Sequence, residues 1–299
     1  MPKQTLLLII SLLIAGCATT EQYAPPETVD GLRTQYEQFN RVSAISHNIL
    51  VANAPICSKT REDYGFTYMS VSQNVDEAKK KIWIETFHLH EQPTVTFVVP
   101  NSMADRAGLR ANDVIIAVND ERWADAKSTD AFTKQLSEAQ KSPHLRLGIL
   151  RDGKEQTLNL TEDHVCDYSF TLNMANEHLT WAQDNKIVVD LGVAKLLKRN
   201  DELAFVISHE LAHILLGHTL PERTNELDDY NMRSAMEKDA DALGIRLMTH
   251  AGYDPDGAET ALKSIDLIDS GPITRFFNYH GSYMPTDERI SYLRKVLNE

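Results

Sequence analysis

Between residues 31 and 56 the apolar positions Leu32, Tyr36, Phe39, Val42, Ile45 and Ile49 recur at steps of three and four, the period of one helix face. The pattern then shifts. Val95–Val99 alternates as a strand does, a second strand runs past His88 and His90, and Thr129–Gln140 reads as a helix. Leu145–Arg151 and Gln156–Thr161 read as two strands joined by the turn pair Asp152-Gly153. From Leu203 the helical period returns through Val206, Ile207, Leu211, Ile214 and Leu215, with Asn200-Asp201-Glu202 as capping residue and acidic first turn. Met232–Ala251 predicts a further helix, stopped by Gly252 and then Pro255. A helix, a strand-rich segment and then helices predict an α+β chain of two domains, which 299 residues accommodate.

The first thirty residues change the picture. Met1-Pro2-Lys3 is a short basic start, and Leu6 to Ile14 is almost wholly apolar. That run is shorter than the 20 or so residues a membrane span needs. Ile14-Ala15-Gly16-Cys17 resembles a bacterial lipobox. The expectation is a lipoprotein signal peptide at 1–16, a diacylated Cys17 holding the chain to a membrane, and a flexible tether at 17–30 that contains Pro25-Pro26. Ala18 after the lipidated cysteine points to the outer membrane facing the periplasm, with an inner-membrane address still open. Of three cysteines this leaves Cys57 and Cys166, an even pair in an oxidising compartment and so a predicted disulfide. The excess of 43 acidic over 30 basic residues argues against a nucleic-acid partner.

The chemistry is concentrated in His209-Glu210-Leu211-Ala212-His213. On a helix, residues four apart are rotated by only about 40° and rise about 6 Å, so both imidazoles share a face. That suits two nitrogen ligands of one Zn²⁺, with Glu210 beside them to act on a water at the metal. A third protein ligand is needed, and Glu237 supplies it. Glu237 and Asp241 are four apart on the next helix, and acidic groups on an apolar face are costly unless paired or metal-bound. Asp241 is then the acceptor for the ring N–H of a ligating histidine, and Gly244 permits close helix approach. His218 is a rival ligand. It lacks metzincin spacing and is expected to end the helix, partly positive at the C-terminal dipole. His88 and His90 are read as surface residues.

His209–His213 followed by Glu237-x-x-Ala240-Asp241 resembles the integral-membrane and lipoprotein metallopeptidases of the HtpX, Oma1 and CaaX prenyl protease type. Asn176 with Lys186–Gly192 is similar to that family's strand and turn before the metal helix, and Thr286–Ile290 to its C-terminal segment. The likeness covers 168–299. It departs at Met284-Pro285, where the family has His-Pro, with His280 as a replacement imidazole or the role unfilled. Tyr64-Gly65-Phe66-Thr67, Ala107-Gly108-Leu109, Asn112-Asp113-Val114-Ile115 and Asn119-Asp120 resemble a bacterial PDZ domain, with Asn112 and Asp120 where that pattern has glycine. Together these imply a mainly helical zincin-type metallopeptidase domain with an inserted PDZ-like β-rich domain. Its divisions are a helix at 31–57 packing on the peptidase, the PDZ-like domain at 58–165 and the peptidase domain at 166–299.

The activity implied is a zinc endopeptidase with one Zn²⁺ per chain, held by His209, His213 and Glu237. Glu210 is the general base, and His280, Tyr283 and Arg289 are the candidates to meet the oxyanion. Lys186–Asp190 would take substrate backbone as an added strand, and the substrates would be misassembled or unfolded envelope proteins. A loop at Thr219–Asn231 would cover the cleft of a latent form. The alternative is a non-catalytic envelope chaperone or adaptor that binds client termini through the PDZ-like domain.

Overall fold

The structure is a computed structural model that describes residues 28–72, 77–183, 185–220, 223, 230–269 and 285–298. Cys17, His280, Tyr283 and most of Thr219–Asn231 lie outside the described residues. Two separate apolar cores organise the chain. One gathers residues from 42–50 with others from 165–296, and the second is drawn from 64–160, between those two stretches.

Helix α1 (Val29–Ala52) starts where Thr28 Oγ1 accepts the Gly31 N–H at 3.0 Å. It ends earlier than the period suggested, because Asn53 turns its amide onto the carbonyls of Ile49 (2.8 Å) and Leu247 (3.1 Å) and Pro55 follows. Val42, Ile45, Ile49 and Leu50 enter the first core. Tyr36 does not; it stacks on Trp83 and Phe87, with ring centroids 5.5 and 4.6 Å apart.

β1 (Thr60–Asp63) leads into β2 (Phe66–Met69), which is followed by helix α2 (Glu77–Phe87), the carrier of those two aromatic rings. His88 and His90 are therefore not on a strand: they are exposed in the turn after α2, with His88 at φ +51°. The β-rich unit continues with β3 (Thr94–Val98), α3 (Met103–Arg106), β4 (Val114–Val118), β5 (Glu121–Arg122), α4 (Thr129–Ala139), β6 (His144–Arg151) and β7 (Lys154–Thr161). Its sheet order is β2-β3-β4-β6-β7, with β5 on β4, and Phe132 and Leu136 of α4 close the core beneath. Asn112 does stand in for glycine, at φ +72°; the second such position is Asn119 at φ +52°, not Asp120. Arg151 grips buried Asp113 through two bonds of 2.6 Å.

The chain returns through β8 (Asp163–Cys166), antiparallel to β1, and then β9 (Ser169–Asn173), β10 (Thr180–Gln183) and β11 (Lys186–Asp190). β11 is the centre of this sheet, parallel to β9 and antiparallel to β10, so both of its edges are already paired. It cannot add a substrate strand; β10 is the outer strand on that side. Helices α5 (Leu191–Leu196), α6 (Asn200–Leu215), α7 (Tyr230–His250), α8 (Asp256–Asp269) and α9 (Thr286–Val296) follow, with α6 packed between α1, α7, α8 and β10. The N-cap of α6 is Arg199, not Asn200: Glu202 accepts the Arg199 N–H at 2.9 Å, and Asn200 instead accepts from Arg41 Nε at 2.8 Å. Among the described residues no helix is long and apolar enough to cross a membrane.

Cys57 and Cys166 are joined at the base of the inserted unit, 109 residues apart in sequence. A closed loop of that length contributes about 4–5 kcal/mol in the chain-entropy model. At the other end of the β1–β8 ribbon, Asp63 and Asp163 stand directly opposite each other, a like-charge pairing that destabilises a ladder. Buried His47 of α1 lies between them, with Nδ1 3.4 Å from Asp63 and Nε2 3.6 Å from Asp163. Arg61 and Arg106 flank the two carboxylates at 2.8 and 3.0 Å. Beside the cluster lies a half-open pocket of about 160 Å³ lined by Phe39, Val42, Phe97, Phe170 and Leu172.

Burial alone would push the His47 imidazole down, but Asp163 and Asp63 outweigh it and raise it to about 9. Burial likewise opposes ionisation of Asp63, yet His47, Arg61 and the Gly65 N–H bring it to about 2. Stability from the raised imidazole is complete below its ordinary 6.5 and is lost as the pH climbs through about 9. That from the depressed carboxyl is complete above 3.8 and is lost as the pH falls through about 2. Thermal melts across pH are therefore expected to decline above 6.5, and His47→Gln should flatten that alkaline limb. An unchanged limb in the variant would remove His47 as its cause.

Candidate metal centre

α6 is helical through its apolar face and carries His209 and His213 one turn apart, turned toward α7. The two helices meet closely because position 244 is glycine: a Cβ there would sit 2.9 Å from His209 Cα and 3.0 Å from its N. That approach lets carboxylates on α7 reach the imidazoles. The two Nε2 atoms are 3.1 Å apart. Glu237 Oε2 is 3.4 Å from that of His209 and Oε1 is 3.5 Å from that of His213. Two donors of a tetrahedral Zn²⁺ at about 2.0–2.1 Å stand about 3.3 Å from each other. The spacing fits. Among the described residues, His209, His213 and Glu237 form the group that could hold a metal ion.

The surroundings orient this set. Asp241, fully buried, has Oδ1 3.0 Å from His209 Nδ1, and Arg289 of α9 bonds both of its oxygens at 2.7 and 2.6 Å. Arg289 also lies 3.9 Å from Glu237. Its Nε and Nη2 are committed to Asp241, which fixes the guanidinium beside the ligand set. His218 is buried, with Nδ1 3.0 Å from Nδ1 of His213. Burial, then His213 and Arg223, lower it to about 4, so it is neutral and not the partly positive helix end that its position suggested. Glu210 stands outside the three-donor group and accepts the backbone N–H of Ala182 on β10.

The polypeptide alone builds a site that attracts positive charge. Burial opposes charge on His209, yet Asp241 and Glu237 raise it to about 10. Burial also opposes ionisation of Glu237, but His209 and His213 hold it well below the usual carboxylate range. The carboxylates beside His209 thus favour a positive charge, which a dication would supply with release of the proton, while burial and then His209 lower the His213 imidazole. Glu210 goes the other way: burial first, with help from Glu237, pushes it up to about 8 against His209 and Arg289.

The helix that carries His209 and His213 and the inserted β-rich unit each overlap a stretch that matches a known family model. Residues 173–227 match the family model described as Peptidase family M48, and 94–144 match that of the PDZ domain. The chain is 26% identical over 157 residues to the mitochondrial metalloendopeptidase OMA1 of Arabidopsis thaliana, covering 43% of this chain and 32% of that protein. It thus spans about a third of the curated relative it matches. Solved structures similar to part of it include a PDZ domain protein and a protease. A PDZ domain protein from Parabacteroides distasonis ATCC 8503 shares 20% identity over 37% of this chain and 22% of the other, at a TM-score of 0.27. The HtrA-type protease AlgW with decapeptide shares 17% over 35% and 30%, at 0.25. Glu237, Asp241 and Arg289 lie beyond the residues matched to the peptidase family, so it is the geometry that brings them to the site.

Proposed function

We propose that the chain is a zinc-dependent endopeptidase of the bacterial cell envelope, cleaving misassembled or unfolded envelope proteins. The observation that carries the enzymatic part is the convergence of three donors, His209, His213 and Glu237, with a fourth polar group, Glu210, beside them and not among them. Structural zinc sites usually have four protein ligands, whereas catalytic ones keep three and an open position. A bound Zn²⁺ supplies Lewis acidity toward the scissile carbonyl and the attacking water. Glu210 takes the proton of that water and passes it to the leaving amine. Asp241 orients His209, and Arg289 balances the buried charge of Asp241. An extended substrate adds along the outer edge of β10, where Ala182 lies against Glu210 and Leu179 and Trp181 are 54% and 38% exposed. The envelope address rests on the lipobox-like Ile14–Cys17, with Cys17 as the lipid anchor, and on the paired Cys57 and Cys166. The outer membrane facing the periplasm is its favoured form.

Purified protein is expected to hold one Zn²⁺ per chain and to cleave casein, with activity lost to a chelator and restored by zinc. A protein that binds no metal and cleaves nothing refutes the proposal. Zinc retained by a wild type with no cleavage of any peptide would leave the adaptor reading.

A further inference from the structure

The last turn of α6 returns a third imidazole to the second. The helix closes with Gly217 in the left-handed region at φ +71°. The Gly217 N–H donates to the Ile214 carbonyl at 3.0 Å, and the His218 N–H to the His213 carbonyl at 2.9 Å. This is a Schellman closure, in which the residue after the glycine is folded back onto the residue five before it. Here those two residues are His218 and His213. Their rings are tilted by 66° with centroids 5.1 Å apart, and the Nδ1 atoms meet at 3.0 Å.

A bond between two Nδ1 atoms requires one proton and one lone pair. The other nitrogen of His213, Nε2, faces His209 and Glu237. A neutral imidazole that offers the Nε2 lone pair to a cation keeps its proton on Nδ1. His213 Nδ1–H then donates, His218 Nδ1 accepts, and the His218 proton sits on Nε2. We propose that His218 is the positioning residue of His213, fixing the tautomer and ring rotation of a metal ligand as Asp241 does on His209. The inference rests on the metallopeptidase reading and deepens it. Because the Nδ1 of His218 is turned to the side of His213 away from Nε2, His218 is not itself in the ligand set. The two ligand histidines thus lean on different acceptors, a buried carboxylate for His209 and a neutral imidazole for His213. The carboxylate raises ligand basicity more, so His209 is the stronger donor of the pair.

Zinc affinity is measured by competition with a chromophoric chelator for the wild type, His218→Phe and His218→Gln, each checked in the zinc-free form by circular dichroism and thermal melting. His218→Phe is expected to fold and to bind Zn²⁺ about 10–100-fold more weakly. His218→Gln, which retains an acceptor, should recover part of that loss. A folded His218→Phe with wild-type affinity overturns the proposal. Should the phenylalanine variant fail to fold, ¹⁵N-histidine NMR of the zinc-loaded wild type reads the same bond. Protons on Nδ1 of His213 and Nε2 of His218 support it; the reverse pair overturns it. A wild type that takes up no Zn²⁺ overturns the metallopeptidase reading along with it, whereas normal uptake without the His218 effect removes only the positioning role.

Discussion

Glu210→Gln is expected to bind Zn²⁺ as the wild type does and to turn over peptide about 10²–10⁴-fold more slowly, with the loss in kcat rather than KM. The carboxylate is not among the three donors that converge on one point, so metal content should not change. An amide has the same shape and cannot accept a proton, so only proton transfer is removed. Burial and Glu237 already make ionised Glu210 costly, holding it near a pKa of about 8 in the polypeptide alone. Near neutral pH the group is then mostly uncharged in the zinc-free protein, so the neutral amide should leave that protein's stability level. Metal analysis, melting and steady-state kinetics on one preparation separate these effects. A variant that keeps zinc and retains turnover within a factor of ten would assign the base elsewhere.

The second large effect is on stability. Arg289→Met should cost about 3–5 kcal/mol, because it leaves the fully buried Asp241 without the guanidinium that bonds both of its oxygens. Burial opposes charge on Asp241, and Arg289 and then His209 outweigh it to hold the carboxyl below its ordinary range. With Arg289 gone, His209 is the remaining cation facing that charge among the described residues, and it loses its oriented partner if Asp241 takes up a proton. Zinc affinity should fall in parallel. Adding Asp241→Asn should recover part of the stability but not the zinc affinity, since the amide restores charge balance without the acceptor that orients His209. Denaturant unfolding of the single and double variants measures both. A loss under about 1 kcal/mol in Arg289→Met would class the pair with exposed ion pairs of little worth.

Much of the metal centre could be read from local spacing. His209 and His213, then Glu237 and Asp241, share faces by helix period, and Gly244 marks the close approach that joins the faces. The hairpin at Asp152-Gly153 is equally local, with both residues at positive φ (+50° and +74°). Other features had local signals that pointed elsewhere. Asn200 looked like the cap of α6, but Arg41 reaches its side chain from α1 and the helix begins on Arg199. Gly217-His218 is the sequence trace of a Schellman closure, and reading it so would have placed His218 against His213.

The chain's own periodicity determined which residues lie on which helix face, that α6 and α7 are helices, and that two imidazoles and a carboxylate could share one cation. Those are properties of a few consecutive turns, set by backbone geometry that every helix obeys. Tertiary structure alone decided that β10 rather than β11 is an outer strand of its sheet, since strand order is a matter of which segments bury their faces together. It alone placed Arg289 behind Asp241, across 48 residues, and set His47 between two carboxylates from opposite ends of the inserted unit. Contacts of that kind have no period along the chain, because their partners are chosen by the collapse of two cores and not by neighbouring residues.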